Sequence, residues 1–155
     1  PLADKAPAGD ADAIFLPGGY PELHLPRLST ASRFLGGLRD AASKSVRIYG
    51  ECGGFMTLGQ RIIDKDGTAF SMAGLLDLET SFAARKLHLG YRQVAARHGG
   101  WPGNTPLTAH EFHYTTATSA TGDPLFDAVT PSGKPLGPMG LVNGTVSGSY
   151  AHIIA

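Results

Sequence analysis

Residues 46–56 read VRIYGECGGFM, and this stretch decides the fold. Residues 46–49 are mostly apolar and β-branched, which is typical of a short buried strand. Glycines on both sides of Cys52 then indicate a sharp turn, and the apolar residues from Phe55 onward indicate the start of a helix. A strand that turns directly into a helix is a building unit of layered α/β proteins, and it predicts that class here.

A second unit of the same kind precedes this stretch. Residues 13–16 (AIFL) form a short apolar run that ends at PGG, which indicates another buried strand and turn. Residues 28–44 then place apolar side chains at helical spacing, with Ser29 or Thr30 as candidate caps at the start. The order strand, helix, strand, helix predicts parallel pairing of the two strands.

The second half of the chain is richer in strands than the first. The strand-like segments lie around residues 74–82, 86–97, 107–116 and 139–150. Turn signals stand at residues 64–67 (DKDG), 98–100 (HGG) and 143–144 (NG). We therefore expect extra β strands, joined by tight turns, beyond the parallel unit.

The bulk composition limits the classes of function. The chain has 155 residues, which suits one domain. Its 13 basic and 13 acidic residues give a formal net charge of zero. No basic run indicates a nucleic-acid partner, and no long apolar run or signal segment indicates a membrane. A single cysteine cannot form an internal disulfide. We expect a cytoplasmic protein that binds neither nucleic acid nor membrane.

Cys52 is the first candidate for chemistry. A side chain on a sharp strand-to-helix turn is exposed at the carboxyl edge of a parallel sheet, as in the nucleophile elbow of hydrolases. The end of the following helix would also favour a thiolate. The alternative, a small cysteine buried in the core, stays open on the sequence alone.

Two further candidates are the PGG turn and His152. Backbone N–H groups of Gly18 or Gly19, together with Gly53, could form an oxyanion hole, although a plain turn explains the same glycines. A nucleophilic cysteine needs a base, and spacing does not choose one among the histidines. They are His24, His88, His98, His110, His113 and His152.

His110 and His113 resemble a metal-binding pair, but residues three apart in a strand face opposite sides of the sheet. We expect no metal in this domain.

The motifs taken together resemble a known family. They read LPGGYPELH (16–24), GECGGFM (50–56), LGYR (89–92), HEFHY (110–114) and GSYAH (148–152). Their order is similar to that in the C-terminal glutamine amidotransferase domain of cobyrinate or hydrogenobyrinate a,c-diamide synthases. The resemblance covers nearly all of the chain from residue 13 onward.

The resemblance implies a class I glutamine amidotransferase-like, flavodoxin-like fold with a mainly parallel central sheet. It implies that Cys52 is the nucleophile and His152 its base, and that Gly18, Gly19 and Gly53 lie at the oxyanion. It also implies glutamine as substrate and a synthetase domain that carries the corrin substrate and uses ATP and Mg²⁺. The chain lacks the phosphate-binding glycine loop of that synthetase, so those cofactors belong outside this domain.

Three positions depart from the common patterns. Class I glutaminases have a glutamate two residues after the histidine, and Ile154 stands there. Isoleucine cannot orient an imidazole, so a Cys–His dyad, or a triad completed from elsewhere, is implied. Met56 replaces a common glutamine, and Ala109 a common glycine. Compared with the family, residues 1–155 correspond to one amidotransferase domain that we expect to be incomplete at both ends.

The resulting hypothesis is a glutaminase that supplies ammonia for a,c-diamidation of cobyrinic or hydrogenobyrinic acid in cobalamin biosynthesis. We expect a thiol pKa lowered by His152 and the helix end, and a face that docks on the synthetase. The alternatives are a Cys-elbow hydrolase or chaperone-like protein, and an inactive binding module of the same fold. The oligomeric state stays open, with a homodimer among the alternatives.

Overall fold

The structure, a computed structural model, describes residues 1–97 and 105–154. Its helices are α1 Leu25–Ser29, α2 Ser32–Ser43 and α3 Gly53–Leu58, and a single 3₁₀ turn covers Pro21–Leu23. The strands are β1 Ala13–Leu16, β2 Arg47–Glu51, β3 Arg61–Ile63, β4 Ala69–Ser71, β5 Leu78–Ser81, β6 His88–Ala96, β7 Leu107–His113, β8 Thr116–Ala120, β9 Phe126–Val129, β10 Pro135–Met139, β11 Leu141–Asn143, β12 Val146–Ser149 and β13 Ala151–Ile153. Within the described part, no helix is long and apolar enough to span a membrane.

The sheet that positions the candidate nucleophile has the strand order β1-β2-β12-β11. Strands β1 and β12 both pair with β2 in parallel, so the carboxyl ends of these three strands meet at one edge. Only β11 runs antiparallel, in a hairpin with β12. The predicted α/β fold with a mainly parallel central sheet is therefore confirmed.

The remaining strands form two further sheets, and two of these strands, β3 and β4, come from the first half of the chain. The five-stranded sheet has the order β10-β9-β6-β7-β13, and each of its neighbouring pairs is antiparallel. The four-stranded sheet has the order β4-β3-β5-β8. Side chains along β7 alternate between half-exposed and buried, as expected for a strand with one face on the core.

Two apolar clusters hold these layers together. The larger one packs α1, α2 and α3 on the central sheet, with Leu38, Ile48 and Leu58 fully buried. The smaller one lies under the five-stranded sheet and is centred on Phe126. Each large side chain removed from water contributes about 1.5–3 kcal/mol, so the two clusters fix the relative positions of the sheets.

The helix expected over residues 28–44 is interrupted at Thr30. The structure has two helices there, α1 and α2, and neither Ser29 nor Thr30 caps α2. Both hydroxyls donate instead to the Pro26 carbonyl, at 3.2 and 2.9 Å. This expectation was wrong because hydroxyls near a helix end also bond backwards, to the preceding turn.

The first turn of α2 is capped by a distant residue. One carboxylate oxygen of Asp4 accepts the N–H groups of Arg33 and Phe34 at 2.8 and 2.9 Å. These N–H groups have no partner inside the helix, and an acidic side chain there also complements the helix dipole.

The predicted turns fall where the sequence placed them, within the described residues. The NG turn joins β11 to β12, with Gly144 at φ +58°. The Asp64 carboxylate accepts the N–H groups of Asp66 and Thr68 and closes the turn between β3 and β4. The HGG turn at residues 98–100 lies outside the described residues.

Candidate active site

Cys52 lies on the sharp turn between β2 and α3. Its φ of 48° and ψ of −106° put a non-glycine residue in a sparsely populated region of backbone space. Such strain persists only where the surroundings hold it. Here the Cys52 N–H donates to the Ser149 carbonyl at 2.9 Å, and the Cys52 carbonyl accepts from Met56 N–H at 3.0 Å. The predicted elbow geometry is therefore present.

The glycines around this turn are required by close backbone approach. A Cβ added to Gly50 would lie 2.7 Å from the carbonyl carbon of Gly54, and one added to Gly54 would overlap the backbone of Leu16. Helix α3 thus starts directly against β1 and β2, where no side chain fits. This packing explains the GECGG pattern without any reference to a ligand.

A cleft of about 250 Å³ opens at the carboxyl edge of the central sheet. Cys52, His152, Gly18 and Gly19 all line it, although they come from three separate parts of the chain. A Cβ on Gly18 would overlap the His152 ring, so the PGG turn lies directly against the imidazole. The structure therefore brings together four of the five residues expected at the site.

Gly53, the fifth, follows the nucleophile at the start of α3. Its N–H is directed at the Cys52 sulfur. A Cβ on Gly53 would lie 2.8 Å from the Gly19 carbonyl oxygen and 3.0 Å from the Gly19 nitrogen. The two glycines expected to hold an oxyanion are in contact, and their role as donors stays a prediction.

His152 lies on β13 beside a buried carboxylate that the sequence analysis did not single out. Nδ1 of His152 is 3.6 Å from one oxygen of Glu51, whose other oxygen accepts the Ile153 N–H at 3.1 Å. The Glu51 residue is only 8% exposed. A charged residue in an apolar strand, directly before the nucleophile, was the available signal.

Burial raises the pKa of the Cys52 thiol to about 11. The Gly53 N–H lowers this pKa, whereas the carboxylates of Glu22, Glu51 and Glu111 raise it further. The expected lowering of the thiol pKa is therefore wrong for the ligand-free protein. Helix α3 has only 6 residues, and its dipole does not offset the loss of water around the sulfur.

The remaining walls of the cleft are mainly apolar and aromatic. The Phe112 carbonyl lies 3.7 Å from the Cys52 sulfur, within reach of the thiol proton. Met56 and Phe82 line the cleft near the sulfur, and Glu22 contributes a carboxylate. The site can therefore hold a small molecule that has an apolar middle and a cationic group.

His88, Glu111 and His113 form a second polar group, with one potential ligand atom from each lying within 4.8 Å of the others. The two imidazole rings are stacked with an angle of 4° between their planes. In-plane lone pairs of parallel rings cannot converge on one ion, so the arrangement does not suit a metal. His110 points to the opposite face of β7 from His113, as expected.

The same cluster of residues instead stabilises one wall of the cleft. Nδ1 of His113 lies 3.0 Å from the Thr115 carbonyl and Nε2 lies 2.9 Å from Glu111. Arg92 donates to the other Glu111 oxygen at 2.8 Å. Burial opposes ionisation, but His113 and Arg92 hold the pKa of Glu111 below its usual range. These hydrogen bonds hold residues 113–115, which line the cleft together with Cys52.

Over residues 1–155 the chain matches the family described as the CobB/CobQ-like glutamine amidotransferase domain. It is 56% identical over 155 residues to the hydrogenobyrinate a,c-diamide synthase of Brucella abortus biovar 1, covering 99% of this chain and 35% of that protein. The synthase of the same name from Rhodobacter capsulatus is 47% identical over 157 residues, covering 100% of this chain and 36% of that protein. The chain thus spans about a third of the length of these curated relatives.

Solved structures give the same fold. PurLQS from Thermotoga maritima matches with a TM-score of 0.63 at 19% identity, covering 94% of this chain and 70% of that chain. A crystal structure of a glutamine amidotransferase matches with a TM-score of 0.61 at 16% identity, covering 93% and 71%. These identities support a conclusion about fold alone, and the family follows from the match along the whole sequence. The chain belongs to the CobB/CobQ-like glutamine amidotransferase domain family.

Proposed function

We propose that this domain hydrolyses glutamine through Cys52 and His152 and supplies ammonia for the a,c-diamidation of hydrogenobyrinic or cobyrinic acid in cobalamin biosynthesis. The observation that carries the proposal is the one cleft in which Cys52, His152 and the Gly18–Gly19 turn meet. Family membership supports the glutaminase reaction. The relatives' names favour the metal-free substrate, hydrogenobyrinic acid.

The first step is attack by sulfur on the side-chain amide carbon of glutamine. Because burial keeps the thiol protonated near neutral pH, His152 takes the proton as the carbon–sulfur bond forms. The amide oxygen becomes an oxyanion, for which the N–H groups of Gly19 and Gly53 are the proposed donors. Removing one such donor typically costs about 10²–10³ in rate.

The second step releases ammonia. The His152 imidazolium gives its proton to the amide nitrogen, the carbon–nitrogen bond breaks, and a glutamyl thioester remains on Cys52. Water, deprotonated by the same imidazole, then adds to the thioester carbon, and the sulfur leaves with a proton to restore the thiol. The products are glutamate and ammonia.

Glu22 fits the recognition of the substrate's amino-acid end. Among the described residues that line the cleft, Glu22 is the one with a carboxylate, and its negative charge raises the pKa of the Cys52 thiol. A free α-ammonium group would gain a charge-assisted hydrogen bond there. This contact would favour glutamine over simple amides.

Ammonia is useful to a ligase only if it reaches the acceptor before it escapes to solvent. The partner we propose is the ATP- and Mg²⁺-dependent synthetase part, which corresponds to the remaining two-thirds of the relatives. The outer face of β6, β7 and β13 suits its docking, because Leu89, Tyr91 and Ile154 are 56%, 60% and 57% exposed there. Tyr91 pairs with His110 and His110 with His152, so this apolar face is continuous with the catalytic base.

The proposal is tested by labelling with 6-diazo-5-oxo-norleucine, a glutamine analogue that alkylates the nucleophile of glutaminases. The site of modification is read by mass spectrometry in the wild type and in His152→Ala. We expect one adduct, on Cys52, forming about 10²- to 10⁴-fold more slowly without the imidazole base.

His110→Ala is the matched control, because His110 is the register partner of His152 on the neighbouring strand. It should label at the wild-type rate. A folded wild-type chain that acquires no adduct would contradict the glutaminase and favour an inactive binding module. Alkylation by simple electrophiles, but not by the glutamine analogue, would favour a Cys-elbow hydrolase of other specificity.

A further inference from the structure

Glu51 is a buried carboxylate that precedes the nucleophile in sequence and lies beside the base in space. It ends β2, directly before Cys52, and its side chain crosses to β13. One oxygen accepts the Ile153 N–H at 3.1 Å, and the other lies 3.6 Å from Nδ1 of His152. The carboxylate thus lies against strand β13 at two points, the backbone N–H of Ile153 and the imidazole ring of His152.

The groups around Glu51 indicate that its negative charge acts on His152. Among the described residues, that imidazole is the one basic side chain found beside this carboxylate, at 3.6 Å. Its other polar neighbour is the Tyr49 hydroxyl, whose pKa is raised by burial and by the Glu51 charge. A buried carboxylate is costly unless it is paired and hydrogen-bonded, so the position calls for a function or a compensating contact.

We infer that Glu51 is the positioning residue that completes the catalytic triad of this domain, from the residue before the nucleophile rather than from beyond the base. The inference rests on the proposed glutaminase function. Ile154 is 57% exposed and cannot hydrogen-bond an imidazole, so the second position after His152 does not supply this group.

The geometry gives the two ring nitrogens of His152 different tasks. Nδ1 faces the carboxylate, which favours a proton on that atom and leaves the lone pair of Nε2 for the Cys52 thiol. When the imidazole takes the thiol proton, Glu51 stabilises the resulting positive charge, as the aspartate does in serine-protease triads. The distance of 3.6 Å is longer than a hydrogen bond, and catalytic contacts often shorten when substrate binds.

The test is a double-mutant cycle on Glu51 and His152 in the 155-residue chain. Glu51→Gln keeps the size of the side chain and an oxygen for the Ile153 N–H, but it removes the charge. We expect kcat for glutamine hydrolysis to fall about 10- to 10²-fold with little change in KM. Glu51→Asp should recover part of the loss. Glu79→Gln, at a carboxylate on β5 that pairs with Arg61 and does not line the cleft, should keep the wild-type kcat.

The decisive readout is the labelling rate in the His152→Ala background. If Glu51 acts through the imidazole, Glu51→Gln causes no further loss there. Equal losses in both backgrounds, or wild-type kcat in a Glu51→Gln chain that unfolds at the wild-type temperature, would overturn the inference. A wild-type chain without labelling would contradict the proposed function first, whereas labelling that depends on His152 but not on Glu51 would contradict this inference alone.

Discussion

Burial of the Cys52 sulfur decides how this nucleophile is activated. Its backbone is held in a strained conformation by hydrogen bonds at both ends of the turn, and the residue is 6% exposed. A thiol in such a site keeps its proton, because a thiolate would lose its hydration. The proposed mechanism therefore has activation coincide with substrate binding, with His152 as the base, rather than depend on a preformed thiolate.

This view predicts the pH dependence of Cys52 alkylation by iodoacetamide in the glutamine-free chain. The thiol pKa of about 11 lies above that of an unburied cysteine, near 8.5. We expect the alkylation rate, followed by mass spectrometry, to keep rising above about pH 10, where a short cysteine peptide has levelled off because nearly all of its thiol is ionised.

The midpoint of the profile is the quantity to compare, because burial also slows access of the reagent at every pH. The folded pKa exceeds the unfolded one, so this thiol stabilises the fold below pH 9 and loses that contribution as pH approaches 11. Circular dichroism must therefore confirm the fold at each point. A midpoint at or below that of the peptide would show an activated thiolate instead.

The residues of the site differ in how far the sequence could predict them. Cys52 could be predicted from the glycines on both sides of it, because a strand-to-helix turn is encoded by residues that are neighbours in the sequence. His152 was identified only through the resemblance, because six histidines offered no choice by spacing. Glu51 was missed because its partners are 101 to 102 residues away in the chain. The parallel pairing of β12 with β2, which places Ser149 beside Glu51, brings them together.

At the scale of elements, short-range patterns predicted some of the strands and turns, but not every strand or helix boundary. Strands β3, β4 and β9 lie outside the predicted strand segments, and β8 and β10 lie almost wholly outside them. The alternation along residues 86–97 and the NG turn predicted β6 and the β11–β12 hairpin. The capping of α2 was not predictable, since its acceptor, Asp4, is 29 residues from the nearest N–H that it binds. Nor does any local pattern show that β12 inserts beside β2.

The role of Asp4 as the cap of α2 can be tested by measuring the stability of a variant that lacks its carboxylate. Asp4→Ala removes the acceptor for two N–H groups of α2 and should lower the free energy of unfolding by about 0.5–2 kcal/mol. The melting temperature, measured by calorimetry, should fall by roughly 2–4 °C per kcal/mol in a domain of this size.

Two variants separate the cap from other effects at this position. Asp4 has a φ of 48°, which asparagine tolerates better than alanine, and asparagine also caps helices. Asp4→Asn should therefore stay close to wild type. Ser29→Ala, which removes the cap expected from sequence, should change little. A larger loss from Ser29→Ala than from Asp4→Ala would contradict the assignment.

At the scale of the whole molecule, two sheets position different residues of the site. The central parallel sheet places Cys52 and the PGG turn at one edge, and the antiparallel five-stranded sheet brings His152 to the same edge on β13. The outer face of that second sheet exposes Leu89 and Tyr91 and is continuous with His152. This arrangement suits a domain that makes a reactive product beside the partner that consumes it.

The most direct measurement joins this chain to the amino-terminal part of the Brucella abortus relative, in place of that protein's own matching third. ATP-dependent a,c-diamidation of hydrogenobyrinic acid is then assayed with glutamine or with ammonium as the nitrogen donor. With Cys52→Ala we expect glutamine-dependent activity to fall by more than about 10³-fold, while ammonium-dependent activity persists. Undiminished use of glutamine by the Cys52→Ala chimera would contradict the assignment of Cys52 as the nucleophile that releases ammonia.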